Sequence, residues 1–99
     1  MTTSPDSSTW EPTQHSGQHG PLDAAEVNAL PDRAFAFPRS RKEPITDATH
    51  VRSALARFNQ VSEVSDAERD LAFANIKKAA RHFNVEMRET DWRQLGAHQ

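Results

Sequence analysis

Asp47, His50 and Ser53 follow one another at intervals of three and supply an acid, an imidazole and a hydroxyl. Those are the groups of a nucleophilic triad, but positions i, i+3 and i+6 of one helix do not converge as acid, base and nucleophile must. Asp47 has a simpler use. Its carboxylate can cap a helix by accepting the amide of His50, with its charge facing the positive helix end. His50 is then expected to pack its ring against a neighbouring element and to satisfy one nitrogen on the backbone. His15 and His19 stand four apart, a metal-binding interval on a helix, but Gly17 and Gly20 oppose a helix there and no third ligand is near. His82 and His98 have no matching partners, and without cysteine a thiolate zinc site is excluded. The expectation is a protein without catalytic residues, metal or cofactor.

Arg39, Arg41 and Lys42, followed by Arg52 and Arg57, offer a different chemistry: a basic surface that could contact phosphates. It lacks the interleaved aromatics of a single-strand binder and any helix-turn-helix. Glu43 and Asp47 dilute it, and some of its arginines could pair with Glu68 or Asp70. Trp10 stands alone in a polar stretch. It is either an incidental exposed aromatic or an anchor for a partner's groove, a role in which aromatics often dominate. Arg39, Arg41, Lys42, Arg52, Arg57 and Trp10 are therefore the candidate partner-binding residues.

The chain around these residues is short and unevenly charged. Its 99 residues, 35% of them hydrophobic, allow one small domain. Residues 1–30 hold four acids and no Lys or Arg, residues 31–60 six bases against three acids, and residues 61–99 six bases against seven acids. The first stretch is rich in Ser, Thr, Pro, Gly and Gln and buries too little apolar surface to offset chain entropy. The expected division is a disordered acidic tail over 1–21, a small helical domain over 22–96 and a C-terminal tail over 97–99. A domain of that size is only marginally stabilised by its core. The N-terminus shows neither the charge nor the apolar run of a secretory signal, and no stretch is apolar enough to span a bilayer. The expected setting is cytoplasmic, away from membranes.

The elements that must position the candidate residues are legible in part. Asp23 and Glu26 resemble a capping box opening a helix over 23–30, which Pro31 ends. Residues 34–37 alternate small and aromatic side chains, so Phe35 and Phe37 should share one side of a short strand. Residues 39–43 read as a charged connector. Val51, Ala54, Leu55 and Phe58 make one apolar stripe on a helix from residue 48 to 59 or 60. Ser65 and Glu68 form the clearest capping box, opening a helix over 66–83 with Ala72, Ile76, Ala79, Ala80 and Phe83 inward and Phe73 at the margin. Its acids come early and its bases late, complementing the helix dipole. Asn84 suits a left-handed helix end. Residues 85–87 are expected to form a strand beside residues 35–37. Thr90 should cap a last turn over 91–95, stopped by Gly96, with Trp92 and Leu95 closing the core.

The stretch from Leu30 to Leu95 resembles a small uncharacterised domain family found in short actinobacterial proteins and in some phage head-assembly or prohead-protease proteins. Phe35, Pro38, Arg41, Lys42, Pro44, Asp47, His50, Ala54 and Arg57 carry the resemblance. It implies a structural or assembly role by analogy alone. No protease activity transfers, because the chain has no protease domain.

The expected fold is mostly α, at most a small α+β: two helices in an antiparallel hairpin, a short strand pair and a C-terminal helical turn. The expected function is a non-enzymatic protein-interaction or assembly module. Its rival is a weak, sequence-nonspecific nucleic-acid binder using the basic surface.

Overall fold

A small side-chain acceptor opens each α-helix in the computed structural model, which describes residues 8–13 and 22–95. Asp23 caps α1 (Ala24–Ala29) and Ser65 caps α3 (Asp66–His82), each in a reciprocal box with the Glu three residues on. Asp47 caps α2 (Ala48–Arg57) through the amide of His50. These caps satisfy amides that have no partner inside the helix, each contributing about 1 kcal/mol. In the α3 box, the hydrogen bond to the Ser65 backbone holds the Glu68 carboxyl below its ordinary range, helped by the nearby Arg39 and Arg69 charges. The far end of α3 closes as the sequence implies. Asn84 takes φ 59°, and the Val85 amide reaches back to Ala80 O at 2.8 Å. That bond is the signature of a Schellman ending.

The fold is mostly α with a two-stranded antiparallel sheet. The strand pair is not the one expected. β1 (Phe35–Phe37) pairs with β2 (Lys42–Pro44), in the register Phe35 opposite Pro44 and Phe37 opposite Lys42. Residues 85–87 form no strand; instead Val85 and Met87 pack their side chains against the core. Closing a short hairpin costs less loop entropy than pairing segments nearly fifty residues apart. The supposed connector is thus the turn and second strand of that hairpin. Its backbone enters the left-handed region at Arg41 (φ 53°) and Glu43 (φ 59°), about 1 kcal/mol unfavourable for a residue with a Cβ. The hydrogen bonds and ring contact of the Arg41 side chain offset that cost at Arg41.

β1 lies on α3, and α2 packs against both α3 and β2. The main core gathers Phe37, Val51, Ala54 and Phe58 with Ala72, Phe73, Ile76, Ala79 and Ala80. Phe58 is its hub, with ring centroids 5.5 Å from Phe37, 6.1 Å from Phe73 and 6.0 Å from Trp92. Phe73 is buried, not marginal, and Leu55 is half-buried. Phe35 leaves this core and joins Leu30 and Ala34 in a smaller cluster against Leu22 and Val27. β1 is therefore buried on both faces, and its two phenylalanines serve different clusters. The last turn is a short 3-10 segment, Trp92–Gln94, capped by Asp91 rather than Thr90. Trp92 packs against the core and donates its indole N–H to Asp70 at 2.8 Å.

Residues 8–13 depart furthest from expectation. Assigned to a disordered tail, they lie against the domain, and Trp10 is 1% exposed within the main core. The buried Asn75 of α3 holds them. Its Oδ1 accepts from Ser8 Oγ at 2.7 Å, Thr9 N at 2.8 Å and Trp10 N at 3.0 Å. Its Nδ2 donates to Ala36 O at 2.8 Å, which fixes the amide's orientation. Trp10 Nε1 donates to Ile45 O at 3.0 Å, and its ring meets Phe83 and His82 edge-on. The expected stop at Gly96, the His15 and His19 pair, His98 and the remainder of both tails lie outside the described residues.

Candidate functional site: a cleft between the hairpin and helix α2

Glu43, in the left-handed region within β2, lines a cleft of about 440 Å³. Leu22, Val27 and Pro44 give the cleft an apolar lining, and Glu43, His50, Ser53 and Arg57 give it polar groups. α2 supplies three of these because residues 50, 53 and 57 share one of its faces, adjacent to the apolar stripe that anchors it. A second hollow of about 350 Å³ shares Glu43 and Arg57 and adds Lys42, Gln60 and Ser62.

His50 is oriented from below. Asp47, 2% exposed, accepts both the His50 amide and His50 Nδ1 through one oxygen, each at 2.8 Å. The imidazole partner is therefore a carboxylate and not the backbone group expected, because the cap already brings Oδ1 to the first helical turn. The other oxygen, Asp47 Oδ2, is buried without a hydrogen-bond partner. Ser53 makes no hydrogen bond to His50 among the described residues, so the acid–imidazole pair does not extend to a hydroxyl. No group of three or more potential metal ligands exists among the described residues.

Burial pushes the Glu43 carboxyl above its ordinary value, against the opposing pull of Arg57 and His50. The folded state consequently binds a proton more readily than the unfolded chain, so this group's contribution to stability declines as pH rises above the ordinary carboxylate value. Glu43→Gln should stabilise the domain at neutral pH. That advantage should vanish at pH values below the ordinary carboxylate range, where wild type and variant are both uncharged at this position. Urea unfolding at the two pH values measures it, and equal stabilisation at both would contradict the burial account.

The five basic candidates have different local partners, and of them only Lys42 and Arg57 line the same hollow. Arg41 is held on α1 and the segment after it: it donates to Asp32 at 2.7 Å, Leu30 O at 2.9 Å and Val27 O at 3.1 Å, and lies 4.6 Å from the centre of the Phe35 ring. Lys42 donates to Ser62 O at 3.2 Å. Arg39 is exposed, with its charge felt by Glu68, and Arg52 is exposed on α2. Arg57 alone joins the cleft of Glu43 and His50. Trp10, the sixth candidate, is core and presents no exposed anchor. Arg41→Ala should therefore lower stability by about 1–2 kcal/mol, through lost hydrogen bonds and ring contact. Arg41→Lys should recover little of it, because an ammonium cannot reproduce the forked donation. Thermal melts of the two variants check this; a lysine as good as the arginine would show that charge alone matters.

The sequence model of DUF6582, a family of unknown function, matches residues 19–90. The chain belongs to this family. The DUF6582 match takes in the hairpin, all three α-helices and every residue of the cleft, and it leaves residues 8–13 outside. No curated protein and no solved structure gives a significant match. Among the described residues, no helix is long and apolar enough to cross a membrane.

Proposed function

We propose that this DUF6582 domain is a non-enzymatic protein-interaction module that seats part of a protein partner in the cleft between β2 and α2. One observation carries the reading: Glu43 and Arg57 face the same cleft, close enough to feel each other's charge, yet form no ion pair. His50 Nε2 likewise has no hydrogen-bond partner among the described residues. An apolar lining with a few unspent polar groups is the usual composition of a binding site. An assembly role, as the phage-protein resemblance implies, is one form of this function.

Filling the cleft tests the reading. Ser53→Trp adds a large side chain where Ser53 lines the space, without touching the Phe58 core. Captured partner should fall at least tenfold relative to wild type in a quantitative pull-down, on the order of what losing one buried anchor costs, with the melting temperature little changed. Undiminished capture would move the interface elsewhere. Nucleic acid is the competing partner. Binding that weakens steeply with added salt, and that Arg52→Ala with Arg57→Ala reduces, would replace the protein-partner reading.

A further inference from the structure

We propose that the slot formed by Ile45, Asn75, His82 and Phe83 is a recognition site for an extended, tryptophan-bearing segment, and that residues 8–13 of a second copy can fill it in place of the chain's own.

The contacts are those of a bound peptide. One aromatic is sunk to 1% exposure, and its indole N–H is matched by the Ile45 carbonyl at 3.0 Å. Two successive backbone amides, Thr9 and Trp10, converge on Asn75 Oδ1, at 2.8 and 3.0 Å. Farther along, the Glu11 amide donates to Arg33 O at 3.2 Å. None of residues 8–13 belongs to a helix or strand. The slot is also complete on its own side, because the Asn75 amide is oriented by Ala36 O, a group of the domain itself. Every slot residue lies inside the DUF6582 match, whereas the segment lies outside it. Receptor and ligand are thus separate parts of one chain.

The connection is a short tether. Residues 14–21 join the segment to Leu22, and eight residues can reach across at most about 28 Å. A tethered segment acts at an effective concentration on the order of millimolar, so the chain's own copy wins in dilute solution. A second copy is the fitting occupant because its segment matches the slot residue for residue.

Two measurements decide the matter. Full-length Trp10→Ala vacates the slot, and a synthetic peptide of residues 8–13 is added to it. The melting temperature should rise by roughly 10–20 °C when the peptide exceeds its dissociation constant a hundredfold. The same peptide carrying alanine at Trp10 should give no rise. If Trp10→Ala is unfolded by itself, the peptide should restore its helical circular dichroism, and the milder Trp10→Phe should show the same rescue with less gain. No rescue of either variant at millimolar peptide, or equal rescue by the alanine peptide, overturns the slot as a recognition site. Next, Trp10→Ala is mixed with Asn75→Leu, so that one chain keeps an intact slot and the other an intact segment. A one-to-one heterodimer by native mass spectrometry is expected. Peptide rescue without any heterodimer overturns the assignment of a second copy as occupant.

Discussion

Trp10→Ala is expected to lower the unfolding free energy by about 3–5 kcal/mol, the range for truncating a large buried aromatic. Trp10 sits at the upper end of that range for three reasons. Its ring is 1% exposed, so the whole side chain leaves a void. The void lies between α3 and the Ile45 segment, each anchored elsewhere in the core, and partial collapse is the best the site can do. Losing the indole N–H also leaves the Ile45 carbonyl without that donor. A domain this size has roughly 5 kcal/mol in total. The variant should therefore be partly unfolded at room temperature, with a urea midpoint shifted far towards zero. A loss below about 1 kcal/mol, the effect of an ordinary substitution, would mean that residues 8–13 contribute little to the folded domain.

Trp10 also shows where reading the sequence fails. Its neighbours are Ser, Thr, Pro, Glu and Gln, and composition averages over them. The average correctly says that the stretch cannot build a core of its own. It cannot say that one side chain completes a core built elsewhere, because that depends on a hole between α3 and the hairpin. Local chemistry is far more legible. The caps at Asp23, Asp47 and Ser65, the stripe from Val51 to Phe58 and the Asn84 ending all arise from interactions within a few residues, and all are present. The strand partner of Phe35–Phe37 escapes the sequence because β2 reads Lys-Glu-Pro, with low β propensity and no hydrophobic alternation. Glu43 reads as no more than a diluting charge for a related reason: it lines the cleft from a left-handed backbone that nothing in the sequence announces.

Asn75 leaves one usable signal. It falls three residues after Ala72 and four before Ala79, on the buried stripe of α3, where a polar residue needs a partner inside the protein. Asn75→Ala removes the acceptor shared by Ser8, Thr9 and Trp10 and the donor to Ala36 O. Stranding buried groups in this way should cost about 2–4 kcal/mol. Combining it with Trp10→Ala should cost about 1 kcal/mol or more below the sum of the two, because without the tryptophan the segment no longer presents its amides to Asn75. Strict additivity would show that the clamp and the indole act independently. Asn75→Asp separates hydrogen bonding from shape. It keeps the acceptor but, when ionised, turns a carboxylate oxygen towards Ala36 O in a fully buried position. Its folded state should therefore favour the protonated form, which can donate to that carbonyl. The variant's deficit should shrink as pH falls towards the ordinary carboxylate value and grow as pH rises above it. A deficit independent of pH would mean that the three donors to Oδ1 stabilise the carboxylate enough to cancel its burial against Ala36 O.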